Sequence, residues 1–594
     1  MLRRLRSSLL LSISALLLPA CGGAGGGGGH VAAPVAVEQT IFPSKDALVK
    51  IAEKPVPAKL SDESTKDMPS WDLMGPLPSD IDNVPFSDDS PWGKLFASVV
   101  STKGDQVVAN EAMHCFAREN AAFVAATDAR PAEMLARFFA ARCGVMSGPG
   151  ATTLQVITAD ERMTDDAIFA KFEASTKAVI EKHLASRHLM AGLAYVRKGG
   201  RAVMALSLAP ETARLDRTPI VPGPDGKVIL RGEVLGPAIG LRALINRGRF
   251  GYAECAVSST VALPRFLITC DASREDELAW ISLSSRQPGR VLGHSVAELL
   301  VWPSGAPAKA YARLTAGATG ASGSAPEALL QEINRIRGEA RLSPIGMAEA
   351  ETKTAAQLAP HYFGGAEGAD KDVPDQVALG LLAGWEVEGT IRTGHFVSTW
   401  VPGTTVWSDV VRSAISRPIG RETLLDPGAE KIALGPVNNP QGSGALFTTY
   451  ALFENHKHDE DVRALAQRIA TARAERHLTP PAAVADLNAL AGKAAAEVQA
   501  GRQTSSDALN GLLRAVSDKL GQDTRGWAAE ATSIEHLTIP DEIVTAPSLR
   551  FGVGIAHHRN EGEPWGRFVI FLVMIEEGAG AGVMHAGRGE PHAG

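Results

Sequence analysis

Aromatic side chains and an excess of charge of one sign are both scarce in this 594-residue sequence. Phe, Trp and Tyr make up 5% of the residues, and the formal net charge at pH 7 is -7. Nucleic-acid-binding domains carry a basic surface, and single-strand binders add aromatic platforms on which bases stack. The composition therefore predicts no nucleic-acid partner.

The motifs of the common enzyme classes are also missing. The sequence has no Gly-x-Ser-x-Gly elbow, no His-Glu-x-x-His zinc pair and no glycine loop ending in Lys-Ser or Lys-Thr. Each of these patterns carries a defined chemistry, namely acyl transfer, metal-assisted hydrolysis and phosphate binding. We therefore expect no cofactor and no metal from the sequence motifs.

Long apolar runs are confined to the N-terminus. A basic start precedes the apolar residues 7–18, which are too few to span a bilayer. The run ends in Leu18-Pro19-Ala20-Cys21, which resembles the lipobox of bacterial lipoproteins, although Pro19 is less usual there. In such proteins cleavage exposes the Cys, which is then lipidated. Residues 22–29 are almost all glycine, a composition typical of flexible tethers.

This N-terminal pattern predicts an exported protein of the periplasm or cell surface. It would be held at a membrane by acyl chains on Cys21, since no other segment is long and apolar enough to span. The alternative is an ordinary secretory signal followed by an unrelated Cys.

The other four cysteines fall into two local pairs. Cys115 and Cys143 flank a predicted turn between two helices, and Cys255 and Cys270 flank a predicted turn between two strands. Exported proteins retain disulfides, and each bridge would contribute roughly 3 kcal/mol. The alternative is four buried free thiols.

The chain is too long for a single core, so three or four domains are expected. Residues 22–91 are rich in Pro, Asp and Ser, which predicts a flexible tether pinned locally around Trp71. Residues 92–215 combine helical patterns with a hairpin and predict an α+β domain. Short strands separated by Pro and Gly predict an all-β, Ig-like sandwich at 216–304, with a Gly/Ala/Ser linker at 305–325.

Residues 326–455 carry a distinctive order of elements. An amphipathic helix at 327–339 is followed by Leu342-Ser343-Pro344, a second helix at 347–358 and two β-like segments near 430–435 and 446–453. The stretches LLQEINRIRGEARLSPIGM, TKTAAQLA and RETLLDPGAEKIALGPV resemble the SCP/CAP domain of cysteine-rich secretory, antigen 5 and pathogenesis-related proteins. The resemblance implies an α/β/α sandwich, so the whole chain is expected to be an α/β multidomain protein.

The last part of the chain repeats this order. Residues 468–498 again place an Arg-rich helix, a Leu-Thr-Pro and an Ala-rich helix in succession, and two β-like segments close the copy. This predicts a second degenerate CAP-like domain at 459–578, before a disordered tail at 579–594. Residues 92–215 would be a third, more diverged copy. The alternative is coincidence, because Ala-rich helices resemble one another.

The resemblance also indicates where a functional groove would lie. CAP domains carry two His and two acidic residues, which in some members hold a divalent metal. The Ser-Pro-Gly-His-Arg-type motif reads 416–421 here, with Gly420 at the His position, and the Gly-Glu-Asn-type motif matches 394–396, with His395 at the Glu position. His361 lies near another family His. His361 and His395 are therefore weak catalytic candidates.

Together these features predict a lipid-anchored cell-envelope protein with degenerate CAP-like domains. It would act as a non-catalytic binding or scaffolding module whose ligand is a lipid, an envelope glycan or a protein. The alternative is a CAP-type hydrolase acting on peptide or envelope polymer, which would require His361 and His395 to converge beside an acidic residue in a cleft.

Overall fold

The computed structural model of the chain is a mixed α/β structure with several separate sheets. It describes residues 31–32, 36–37, 43–57, 65–74, 88–148, 151–158, 162–184, 189–216, 220–272, 278–287, 293–302, 309–312, 323–365, 372–383, 387, 390–439, 442–453, 458–520, 524–531, 534, 537, 539–546, 549–558 and 566–576. The predicted signal peptide with Cys21 and the predicted tail at 579–594 lie outside these residues. No helix within these ranges is long and apolar enough to cross a membrane.

Three sheets share one strand order, in which a short first strand lies parallel to the third and the second strand lies at the far side of the fourth. We name the parts built on them the N-terminal, central and C-terminal units. In chain order their strands are Val107–Ala109, Ala151–Thr158, Leu189–Lys198 and Arg201–Pro210; Gly346–Met347, Thr390–Pro402, Lys431–Asn439 and Gly442–Phe453; Ala482–Ala483, Thr524–Ala531, Leu549–His558 and Arg567–Glu576.

Helices cover both faces of each of these sheets, so each unit has an apolar core on either side. In the N-terminal unit, Pro91–Val100 and Asp165–His183 face Glu111–Thr127 and Glu133–Arg142 across the sheet. In the central unit, Ala325–Glu339, Trp407–Ile415 and Pro418–Leu425 face Glu349–Gly365 and Val373–Ala383. In the C-terminal unit, Asp459–Ala474 and Asp541–Thr545 face Ala485–Gln499 and Ser505–Leu520. A 3₁₀ helix, Ser101–Gln106, follows the first helix of the N-terminal unit.

The first helix of the central unit shows how the local sequence sets these elements. Ser324 and Glu327 form a capping box at its start, which satisfies backbone N–H groups that a helix leaves unpaired. Leu329, Ile333 and Ile336 then recur at helical spacing and are buried against the sheet.

That helix and its counterpart in the C-terminal unit also end alike. Arg337 and Arg473 are both fully buried, and each donates to backbone carbonyls of the following loop and of a later segment. Four residues on, Arg341 and His477 both adopt the left-handed conformation, with φ of 60° and 59°. Sequence and geometry therefore repeat together at this point.

Between the N-terminal and central units lies an all-β part, which we name the β unit. Two four-stranded antiparallel sheets share its core, and alternate residues of Lys227–Val234 are buried, as expected for a strand with one face inward. The sheets consist of Ala213–Leu215, Lys227–Val234, Arg265–Asp271 and Ala256–Val257, and of Gly251–Glu254, Gly240–Arg247, Ala279–Arg286 and His294–Val301.

Parts of the predicted tether at 22–91 form ordered elements among the residues that the structure describes. Val31–Ala32 and Ala36–Val37 pair in parallel with Thr524–Ala531 of the C-terminal unit. Lys45–Ala52 is a helix, capped by Ser44, whose Leu48 and Ile51 are buried in the central unit. The physical reason is that these two side chains, three residues apart, form an apolar helix face that a Pro-rich composition concealed.

The predicted linker at 305–325 is likewise only partly a linker. Ala310–Ala312 pairs with Ser70–Asp72, and Thr65–Lys66 pairs with Arg130–Pro131. Trp71 packs on Phe123 with ring centroids 4.8 Å apart. This contact lies where the sequence predicts local pinning around Trp71, and the strand pair ties part of the predicted linker to the same place.

Candidate functional site

The candidate His395 lies on Thr390–Pro402, an edge strand of the central unit's sheet, and alternate residues of a strand face opposite sides of the sheet. Phe396 packs on Tyr362 of the Glu349–Gly365 helix, with ring centroids 5.8 Å apart. His395 instead faces the segment 416–426 on the other side. His361 belongs to the helix on the Phe396 face, so the two candidate histidines are separated by the sheet.

His395 contacts two carboxylates of the segment that contains Gly420. Its Nε2 lies 3.2 Å from Oδ2 of Asp426, and its Nδ1 lies 3.7 Å from Oε2 of Glu422. Gly428 donates its backbone N–H to the Asp426 carboxylate at 2.7 Å. The arrangement is an imidazole between two acids; Glu422 directly follows the Gly420-Arg421 that the resemblance had marked, and Asp426 lies four residues further on.

The pKa values of this group are shifted in a consistent way. Burial alone lowers the pKa of His395, but the hydrogen bond to Asp426 and the charges of both carboxylates outweigh burial, so this pKa is raised. Burial alone raises the pKa of Asp426, but the bonds from His395 and from the Gly428 N–H lower it below its ordinary value. Both shifts favour an imidazolium–carboxylate pair.

Arg242 of the β unit contacts the same group of charged side chains through Glu422. Arg242 forms a two-pronged ion pair with the Glu422 carboxylate, with Nη1 3.0 Å from Oε2 and Nη2 in contact with Oε1. The Glu422 side chain is only 3% exposed. Its charge is therefore satisfied by an arginine from another unit, a bidentate pairing that is among the stronger charge-assisted contacts.

The rest of segment 416–426 also bonds to the β unit. Asn246 donates its amide to the Ser416 carbonyl at 2.8 Å, and Arg421 donates to the carbonyls of Gly248 and Gly251 at 2.9 and 2.6 Å. The stretch that would supply a reactive His in CAP domains thus forms a contact surface between units. We name residues 416–426 the joint segment.

The joint segment also takes part in a charge cluster that connects three units. Glu298 of the β unit lies 2.7 Å from Arg137 of the N-terminal unit and 3.4 Å from Arg417 of the joint segment. Burial alone raises the pKa of Glu298, but the two arginines outweigh it and lower this pKa. No signal in the sequence could have identified this cluster, because its members are more than 100 residues apart.

Position 420 itself has no room for a side chain. A Cβ atom built on Gly420 would lie 1.8 Å from the carbonyl oxygen of Ala414, far inside contact distance. Gly420 lies in the first turn of the helix Pro418–Leu425, packed against the end of the helix Trp407–Ile415, and a histidine could not occupy this position without a shift of the backbone.

His361 is buried where the central unit meets the helix Lys45–Ala52. It is 4% exposed and bonded to the backbone of Ala52, at the end of the docked Lys45–Ala52 helix. Burial, followed by the charge of Lys54, lowers its pKa. No acidic residue is among the groups that shift its pKa, so His361 serves packing between the central unit and the N-terminal segment.

The other site residues predicted from the sequence are the four paired cysteines. The structure contains both disulfides, Cys115–Cys143 and Cys255–Cys270. Among the residues it describes, no three His, Cys, Asp or Glu side chains are placed to hold a metal ion.

A cavity of about 210 Å³ lies beside the helix Lys45–Ala52, lined mainly by apolar residues such as Leu48, Leu358 and Leu381.

The comparisons with known proteins show a likeness to solved structures but not to any family model. No protein-family model and no curated protein matches the chain. Among solved structures it is similar to a cysteine-rich secretory protein from Staphylococcus aureus, at 9% sequence identity and a TM-score of 0.16. The match covers 40% of this chain and 84% of the other.

Proposed function

We propose that this chain is a lipid-anchored cell-envelope protein in which degenerate CAP-like units serve as a non-catalytic scaffold. The observation that carries the proposal is the joint segment, 416–426. Where CAP domains have a reactive histidine it has Gly420, packed in the first turn of a helix against Ala414, and its Glu422 carboxylate is held by Arg242 of the β unit.

Repetition of one structural plan supports the assignment of the units. The N-terminal, central and C-terminal units share their strand order and helices on both faces, and two of them share the buried arginine, Arg337 or Arg473. The β unit between them is proposed to be an Ig-like sandwich that acts as a spacer. Its charge contacts with both neighbouring α/β units suit that role.

The anchoring part of the proposal is based on the lipobox-like residues ending in Cys21. Two disulfides fit an oxidising, exported environment. A scaffold held at the membrane by acyl chains would present the units to an envelope ligand, for which lipid, glycan and protein remain the candidate classes.

Two measurements test the proposal. Mass spectrometry of the protein extracted from cells should find an acylated N-terminal peptide that begins at Cys21, and an unmodified peptide that retains Met1 would contradict the anchoring. Peptide and envelope-polymer substrates should show no hydrolysis that depends on His395. Hydrolysis that is lost in a folded His395→Ala variant, but retained in His361→Ala, would favour the CAP-type hydrolase instead.

A further inference from the structure

The N-terminal segment is attached to the C-terminal unit almost as soon as its described residues begin. Val31 and Ala32 pair with Arg525 and Gly526, and Ala36–Val37 pairs further along the same strand. The added strands are parallel to Thr524–Ala531 and extend its sheet at an edge. The chain therefore meets the folded body at the start of that strand.

A second attachment follows within a few residues. In the Lys45–Ala52 helix, Leu48 and Ile51 are each 3% exposed and pack in the central unit. Leu48 lies against Gly380, where an added Cβ would come within 2.3 Å of its Cδ1. Because a side chain at 380 would push the helix away, this position is shaped for the docked segment.

These attachments leave few residues between the predicted lipid anchor and the first described strand. Nine residues, 22–30, separate Cys21 from Val31. Ten Cα steps reach at most about 35 Å when fully extended, and a Gly-rich chain of that length averages roughly 17 Å end to end. A tether running freely to residue 91 would instead reach about 240 Å.

We propose that the C-terminal unit is the part of the molecule that faces the lipid bilayer. The end of its sheet where Thr524 pairs with Ile575 is the end at which the tether arrives. This inference rests on the proposed acylation of Cys21. A spacer of this length would keep that end of the sheet within about 35 Å of the lipid headgroups.

Fluorescence quenching on vesicles tests the orientation. The full-length acylated protein, labelled at Arg525→Cys or at Ala174→Cys of the N-terminal unit, is reconstituted into phosphatidylglycerol–phosphatidylethanolamine vesicles that carry a headgroup quencher. We expect several-fold stronger quenching at position 525 than at 174. Equal quenching at both positions would overturn the inference.

A longer spacer provides the matched control without changing any residue that the structure describes. Thirty Gly/Ser residues inserted after Gly29 should lower the quenching at 525 by at least threefold. The pair Ala32→Pro and Val37→Pro should do the same by breaking the added strands, whereas Gly26→Pro should not. Unchanged quenching after the insertion would overturn the orientation while the anchoring stands. Failure of the wild-type protein to float with vesicles would overturn the anchoring, and the inference with it.

Discussion

Arg337 and Arg473 illustrate how much a single buried residue can contribute to each unit. Arg337 donates to the carbonyls of Ser343, Leu424 and Asp426 at 2.8 to 3.1 Å. These hydrogen bonds connect the loop after the helix to the segment before the hairpin. Arg473 makes the corresponding bonds to Thr479 and Ile543 at 3.0 Å. The planar guanidinium suits this task because its donors point in fixed directions.

We predict that Arg337→Met exposes the loop of the central unit and Arg473→Met that of the C-terminal unit. Leaving buried carbonyls unpaired costs about 1–3 kcal/mol each, so local protection against hydrogen exchange should fall by at least tenfold. Exchange measured by mass spectrometry should locate each effect in its own unit, and the two variants serve as controls for each other. Equal changes in both units from either variant would contradict this role.

The His395–Asp426 pair predicts a defined pH dependence. Because the pKa of His395 is raised, its contribution to stability is complete below the ordinary histidine value of about 6.5 and is lost as the pH rises through the raised pKa. The loss of thermal stability in His395→Asn should therefore be larger near pH 6 than near pH 9. Thermal unfolding followed at both pH values checks this, and a loss that grows with pH would refute the pairing.

At the scale of elements, each unit depends on close contact between its second helix and the hairpin. Glycines on the first hairpin strand allow the helix to approach: a Cβ on Gly192, Gly435 or Gly554 would lie 2.2, 2.7 or 2.1 Å from helix backbone atoms. Such distances leave no space for a methyl group, so these glycines set the depth at which helix and sheet pack.

Gly554→Ala should therefore destabilise the C-terminal unit, since overpacking costs about 1–3 kcal/mol. Gly492→Ala is the matched control, because it lies on the apposed helix with no neighbouring atom within 4 Å of an added Cβ. It should instead stabilise by up to about 1 kcal/mol through helix propensity. The free energy of unfolding of the two variants is measured in urea. Similar changes in both would show that the helix does not pack tightly against the strand at Gly554.

The elements differ in how far the sequence predicts them. Periodicity identifies the Ala325–Glu339 helix and the closing hairpins, and the two disulfides follow because each joins residues around one local turn. Pairing of Ser70–Asp72 with Ala310–Ala312 could not be predicted, since short strands separated by more than 200 residues carry no mutual signal. The joint segment was recognised by its resemblance, but its partner Arg242 depends on how separate units pack.

At the scale of the whole molecule, Glu298 connects three units through Arg137 and Arg417. Because the pKa of Glu298 is lowered, its contribution is complete above the ordinary glutamate value of about 4.3 and is lost as the pH falls through the lowered pKa. We predict that small-angle scattering shows a larger radius of gyration on acidification. Glu298→Gln should show part of that expansion already at pH 7, and an unchanged radius in both cases would exclude the cluster as a connector.

The role of the joint segment as a contact between units is tested most directly by hydrogen exchange of residues 416–426. Arg242→Met removes the β-unit partner of Glu422, while Arg214→Met removes an exposed arginine that pairs with Glu211 and Glu233. We predict that exchange in 416–426 rises at least tenfold in Arg242→Met and stays unchanged in Arg214→Met. Equal exchange in the wild type and both variants would contradict the role of residues 416–426 as a contact between units.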